Sequence, residues 1–350
     1  MNTIDIHTHG IGGCDTRTTT SADILKLAET HGRLGVSEIL PTIYPASIDE
    51  MRANMAAVRE AMERQRSEVR GRRSEIRGRR SDKSKLKAQG LKPVNTHAAR
   101  ILGVHLEGPF LNPSKYGALD PASFLKPTIR SLKRLIEGFE DSIKIITLAP
   151  ELEGATKLIK TISGTGIIVS MGHSDATYAE AEAGFHAGAR GITHILNAMR
   201  GLHHREPGIA GFGLINKDVY IEVIADPYHL HPEIIRLIFN AKPVDKIIIV
   251  SDSVKSTSPV LRSPSSISRL PSSIPHLPSL ISHLPSSISP PLSPITDYHG
   301  VLTGGSMAVI EAAKRLIEMG MQKEIVMPCI SDNPASYLNR GRNLYSSGLF

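Results

Sequence analysis

Cysteine is nearly absent from this 350-residue chain: Cys14 and Cys329 are its only two. Thiols so far apart in sequence build neither a disulfide framework nor a metal knuckle, and they point to a reducing, cytoplasmic compartment. No apolar run is long enough to cross a bilayer, so no membrane span is expected. No charged-then-apolar leader precedes the first apolar stretch, so no export signal is expected either. A Gly-x-Ser-x-Gly elbow is also missing, which weakens any reading as a serine hydrolase of that kind.

Positive charge, in contrast, is plentiful, with a formal net charge of +7. Its distribution decides what it means. Between Arg64 and Lys92 there are twelve Lys/Arg and three Asp/Glu, a net +9 that leaves −2 for the rest of the chain. The stretch contains the repeat SEVRGRR, SEIRGRR at 67–80. Like charges this dense, without core-forming periodicity, read as an inserted low-complexity loop. An RNA-binding arm is the competing reading, and the lack of interleaved aromatics for base stacking argues against it. No nucleic-acid partner is expected. A second insert, 256–294, is built from Ser, Pro, Leu and Ile. Proline at that frequency breaks helices and removes ladder donors, and a proline-rich docking segment is the weaker alternative.

Outside these inserts the pattern is regular. Apolar strand-like runs at Thr3–His9, Glu38–Tyr44, Ile101–Glu107, Ile143–Leu148, Ile167–Met171, Gly191–His194, Val219–Ala225 and Lys246–Val250 mostly alternate with helical spacing. The helices expected are Ser21–Leu34, Ser47–Glu63 with a Ser47/Glu50 capping box, Thr128–Phe139, Glu153–Ile162, Thr177–Ala187, Pro232–Phe239 and Ser306–Met319. Eight strands alternating with helices predict an α/β fold, a (β/α)₈ TIM-type barrel over 1–338. Residues 339–350 read as a fraying tail after one further turn.

The chemistry lies at the strand ends. Ile101–Leu111, ILGVHLEGPFL, is an apolar strand that delivers Glu107 and then breaks at Gly108-Pro109. The first strand ends in His7-Thr8-His9, whose two imidazoles share one face. Other strands end at His173, His194 and Asp252. In such barrels the site lies at the carboxyl ends of the strands, so these six side chains would converge there. Imidazole and carboxylate donors without thiolates suit Zn²⁺ or Fe²⁺. Such a metal lowers the pKa of water toward neutrality. Asp252 is the candidate to take that water's proton and deliver it to a leaving nitrogen.

Six motifs carry a family resemblance: His7-Thr8-His9-Gly10, His105-Leu106-Glu107-Gly108-Pro109-Phe110, Gly172-His173-Ser174, Thr193–Met199, His203–Gly208 (HHREPG) and Ser251-Asp252. From Asp5 to about Leu338, inserts apart, the chain resembles the N-acetylglucosamine-6-phosphate deacetylase family of the metal-dependent amidohydrolase superfamily. The resemblance implies hydrolysis of the N-acetyl amide to glucosamine-6-phosphate and acetate. It implies that Glu107, His173 and His194 hold the principal divalent metal. His7 and His9 would hold a second, over which family members differ, giving one or two per chain. It further implies that Asp252 is the acid/base, that Asn197, Ala198 and His229 contact the substrate, and that Gly108 lines its site. Arg205 of a homodimer would reach the phosphate across the interface, where a guanidinium fork suits phosphate oxygens, and His229 would make its contact across the same interface. The plainer reading of Arg205 is a surface ion pair with Glu206.

The chain also departs from the family. Where members read Lys-Lys-Gly-Ala-His, this chain has Lys115-Tyr116-Gly117-Ala118-Leu119, and leucine cannot make the histidine's hydrogen bond. The segments that build a small β-sandwich in family members, before the first strand and at the far end, are missing, so barrel surface they cover would be bare. Two alternatives follow: a deacetylase of another amino-sugar phosphate, or a catalytically impaired remnant.

Overall fold

The computed structural model describes residues 2–79, 98–258, 294–297 and 300–343. Eight strands run in chain order around a barrel: β1 Ile4–Thr8, β2 Glu38–Ile43, β3 Val104–Glu107, β4 Ile143–Leu148, β5 Ile168–Met171, β6 Gly191–Ile192, β7 Tyr220–Ile224 and β8 Ile247–Val250. Every neighbouring pair from β1 to β8 is parallel. The ring closes between β8 and β1 near their carboxyl ends, where Asp252 N–H donates to His7 O (2.9 Å) and His9 N–H to Ser253 O (2.8 Å). The expected (β/α)₈ fold is the one observed.

Strand residues are buried nearly throughout, as a sheet covered on both faces requires. Alternate residues such as Ile39, Leu106, Ile146, Val169, Val223 and Ile249 join the cluster shared with the surrounding helices. Those helices are α1 Ser21–Arg33, α2 Ile48–Arg79, α3 Ile129–Ile136, α4 Ala155–Gly164, α5 Tyr178–Ala187, α6 Gly208–Ile215, α7 Pro232–Ala241, α8 Val309–Glu318, α9 Lys323–Val326 and α10 Asp332–Asn343. Their starts follow local chemistry. Ser47 and Glu50 form the expected capping box at α2, and Thr177 with Glu180 forms another at α5.

Four of the differences from expectation shape the barrel. Helix α2 continues through Arg79 instead of ending near Glu63, because Arg and Glu carry helical propensity even where no core face exists. The rest of the basic stretch, 80–92, and most of the Pro/Ser insert, 259–293, lie outside the described residues. Helix α6 was not foreseen. The third strand is interrupted at Leu102-Gly103, so Arg100–Ile101 pairs separately with β2. The fourth is α10, longer than a single turn, which packs across the amino-terminal end of the barrel. Asn333 donates to Val244 O and Ile247 O, both at 2.7 Å, and the buried Tyr337 lies against Tyr220. Gly191 is required there, since a Cβ would fall 2.0 Å from the Tyr337 hydroxyl. Among the described residues no β-sandwich is formed, and no helix is long and apolar enough to cross a membrane.

Candidate metal centre

The six predicted side chains meet at the carboxyl mouth of the barrel. Glu107, at the end of β3, is the hub. Its Oε1 lies 3.1 Å from His173 Nε2, 3.0 Å from His194 Nε2 and 3.5 Å from His7 Nε2. Its Oε2 lies 3.1 Å from His9 Nε2. Asp252 Oδ1 is 3.3 Å from His7 Nε2 and 3.6 Å from His9 Nε2. Five of the six are buried, whereas the Asp252 side chain keeps 15% of its surface open to solvent, which a group that exchanges protons with water needs.

The hydrogen bonds behind the rings decide what the donor set can hold. His9 Nδ1 sits 3.0 Å from Thr42 O and His173 Nδ1 2.8 Å from Lys115 O. A carbonyl only accepts, so each Nδ1 carries a hydrogen, and Nε2 is the atom left to face a cation. His7 Nδ1 likewise faces Glu222 Oε2 at 2.9 Å. The Nε2 atoms face one another, at 3.3 Å for His7–His9 and 3.2 Å for His173–His194, and all face carboxylate oxygens. Nitrogen and carboxylate oxygen atoms converging at this range call for positive charge among them, which protons or a metal cation supply. Two groups could each hold one: Glu107–His173–His194 and His7–His9–Asp252. The residues fit a divalent metal.

Electrostatics agree. Burial disfavours a charge on Glu107, but His173, His194 and His7 around it hold its carboxyl well below the usual range. Burial also opposes a charge on His7, yet Asp252, Glu107 and Glu222 push its proton affinity up. The site attracts positive charge.

The backbone at the mouth is strained in the same places. His173 (φ 46°), His194 (φ 28°), Leu196 (φ 71°), Ala198 (φ 47°) and Asp252 (φ 46°) are left-handed without being glycine. Each such residue costs on the order of 1–3 kcal/mol, and such strain clusters at functional sites. Three of the five supply donor atoms. Gly108 (φ 90°) follows Glu107, and a Cβ there would meet Leu111 at 2.9 Å.

The remaining predicted residues are not all drawn into this cluster. Asn197 spends its amide on His194 O and Ile195 O, both at 3.3 Å, shaping the turn after β6. Ala198 continues that turn and faces Gly117, where a Cβ would lie 3.3 Å from its own. His229 is held by Asp226, 3.0 Å from Nδ1, at the end of β7. Arg205 lies in an exposed segment. Its expected partner Glu206 accepts from Tyr178 N–H (2.8 Å) and Gly208 N–H (3.0 Å) instead, and no Arg205–Glu206 ion pair forms among the described residues.

Sequence reasoning missed Glu222, His105 and Tyr44. Tyr44 stacks on His9 with ring centroids 3.8 Å apart, and Arg17 lies over its other side. Glu222 and His105 had a signal: each is a titratable group flanked on both sides by apolar strand residues, where burial is rare without a partner.

No family model matches the chain. Among curated proteins it is 32% identical over 253 residues to the N-acetylgalactosamine-6-phosphate deacetylase of Escherichia coli O157:H7, covering 72% of this chain and 59% of that one. It is 32% identical over 254 residues to the N-acetylglucosamine-6-phosphate deacetylase of Vibrio furnissii, covering 73% and 56%. The chain thus spans little more than half the length of these relatives. The crystal structure of N-acetylglucosamine-6-phosphate deacetylase from Thermotoga maritima matches with a TM-score of 0.71 at 25% identity, over 97% of this chain and 78% of that one. By sequence and by barrel alike, the chain is similar to the N-acetylated amino-sugar-6-phosphate deacetylases.

Proposed function

We propose that this chain removes the N-acetyl group of an amino-sugar 6-phosphate, with N-acetylglucosamine-6-phosphate the first candidate, releasing acetate and the free amine. The observation that carries the reading is the convergence of four imidazole Nε2 atoms on the Glu107 carboxylate, an arrangement that a divalent metal relieves. When bound, Zn²⁺ or Fe²⁺ would polarise the amide carbonyl and lower the pKa of water toward neutrality. Glu107, His173 and His194 would hold the principal ion. His7 and His9 would hold a second.

The chain's own residues supply the proton chemistry. Asp252, partly open to solvent, accepts the proton of the attacking water and returns it to the leaving nitrogen. His229, fixed by Asp226, contacts the sugar. Gly108 and the Asn197–Ala198 turn line the substrate site. Arg205, exposed and unpaired with Glu206, would reach the phosphate of a neighbouring subunit in a homodimer. A reducing, cytoplasmic setting suits the two buried free cysteines.

The test combines metal analysis with acetate release from N-acetylglucosamine-6-phosphate, using Asp252→Asn as control. One or two equivalents of Zn or Fe, with turnover that the substitution abolishes, is the expected result. Metal without turnover on any amino-sugar 6-phosphate would sink the reading and leave an impaired remnant. A second substrate is favoured by one observation: Leu119 stands where the family has histidine. N-acetylgalactosamine-6-phosphate, named for the Escherichia coli relative, therefore belongs in the substrate panel.

A further inference from the structure

Just beneath the mouth lies a polar layer that the proposed chemistry does not use. Glu222 sits in the middle of β7, fully buried in the run Tyr-Ile-Glu-Val-Ile. Its Oε2 lies 2.9 Å from His7 Nδ1 and 3.4 Å from the backbone N–H of His194. Its Oε1 is buried with no hydrogen-bond partner among the described residues. His105 stands beside them, its ring edge-on to His7 with centroids 4.7 Å apart.

His7, His105 and Glu222 are close enough to hold an ion as a third group. Their hydrogen bonds argue otherwise. Both nitrogens of His105 are engaged, Nδ1 with Ile6 O at 3.0 Å and Nε2 with Thr147 Oγ1 at 2.8 Å. His7 Nδ1 is committed to Glu222. This layer supports ligands rather than adding them.

The four rings at the mouth are not supported alike. His9 and His173 rest on backbone carbonyls, and His194 Nδ1 has no partner among the described residues. His7 alone is backed by a carboxylate. A carboxylate behind a ligating imidazole fixes its tautomer and raises its basicity more than a neutral acceptor does. We infer that Glu222 is a positioning residue for the metal held by His7 and His9, locking His7 with Nδ1 protonated and Nε2 presented to the ion. The inference rests on the metal-dependent reading above and adds an asymmetry to it: one of the two metal groups has a ligand ring backed by a buried carboxylate from β7, and the other has none.

The test uses metal-free full-length protein titrated with Zn²⁺ by calorimetry, with circular dichroism to confirm folding. Wild type should take up two equivalents. In Glu222→Gln the equivalent at Glu107–His173–His194 should bind as before, and the other should weaken by about 10–100-fold. In the Zn²⁺-loaded samples, ¹⁵N spectra of labelled histidines should show His7 protonated at Nδ1 and ligated through Nε2 in wild type, with that signature weakened in the variant. Two unchanged equivalents in the variant would overturn the inference, as would equal weakening of both, which marks a merely structural role. A single equivalent in wild type would overturn it as well. No metal uptake by wild type would fail the functional reading itself, a distinguishable outcome. Should the Gln variant not fold, Glu222→Asp keeps the charge on a side chain one methylene shorter, and selective weakening of one equivalent is again required.

Discussion

The two ends of the barrel are made from the same strands and have little chemistry in common. Residues two apart on a strand share a face, so the interior can be followed upward one step at a time. Leu40 gives way to Thr42, Ile145 to Thr147, Ile168 to Ser170 and Tyr220 to Glu222. Within one pleat the lining changes from apolar to polar. Below the change, Ile4, Leu40, Ile145, Ile168, Tyr220 and Ile248 form an apolar cluster with Tyr337 of α10. Above it, hydroxyls link in a chain, Thr147 Oγ1 to Thr193 Oγ1 and on to Ser170 Oγ, each at 2.7 Å, and then the four histidines and their carboxylates take over. All five left-handed non-glycine residues sit at the upper end. The division teaches that packing at the bottom offsets strain and desolvated charge at the top, so the two ends should respond differently to damage.

Two substitutions would separate them most sharply. Asp252→Asn should lower acetate release by about 10²–10⁴-fold, the ordinary contribution of a positioned acid or base. The melting temperature should not fall, because asparagine tolerates the left-handed backbone at this position at least as well as aspartate. At the other end, Tyr337→Ala removes a fully buried aromatic and should cost about 3–5 kcal/mol in a denaturant titration. Turnover per folded molecule should stay within about twofold. A large loss of turnover in Tyr337→Ala at unchanged stability would dissolve the distinction between the ends.

Removing metal tests the same distinction without mutation. On the proposed reading, chelation should lower stability by about 3–4 kcal/mol for each ion held, if the free ion was present at 100 to 1,000 times its dissociation constant. Hydrogen exchange should then accelerate at the upper end, in the β8–β1 closure around His7, His9 and Asp252, and remain slow at Ile145, Ile168 and Tyr220. Uniform acceleration would show that the barrel opens as one unit.

How much of this was legible in the sequence also divides along the barrel. The β4 strand was bounded correctly at Ile143–Leu148, and the six mouth residues could be named because each ends an apolar run. The lower end was not legible. Helix α10 is mostly polar, and its inward Ala335, Tyr337 and Leu338 give no helical periodicity to follow. Helix α6, GIAGFGLI, carries three glycines in eight residues and is buried all round except at Ile215, so neither propensity nor an amphipathic stripe announces it. Glu222 and His105 were passed over because they lie inside strands, where the search for strand-end ligands does not look. The asparagine and arginine of the motifs were visible, but their partners depend on turns that spacing does not reveal.

The smallest effect concerns the shell around the mouth. His31 of α1 is fully buried, with Nε2 3.0 Å from Thr8 Oγ1, which in turn lies 2.8 Å from Ser253 Oγ. Thr8 is thus tied outward to a helix while its neighbours His7 and His9 point inward. Burial pushes the His31 pKa down to about 4 from its ordinary 6.5, so the folded protein keeps it neutral. Between those two values the unfolded chain binds a proton that the folded one does not, and stability must rise with pH across that window. Acidifying from pH 6.5 to 4 should therefore remove up to about 3 kcal/mol through this residue alone. Carboxylates and the mouth histidines titrate in the same range, so the informative quantity is a difference. Urea midpoints measured from pH 4 to 7 should converge at the acid end for wild type and His31→Gln and separate toward neutrality, wild type above the variant. Parallel curves would show that His31 is neither desolvated nor held neutral, and that the polarity of the mouth ends at the barrel wall.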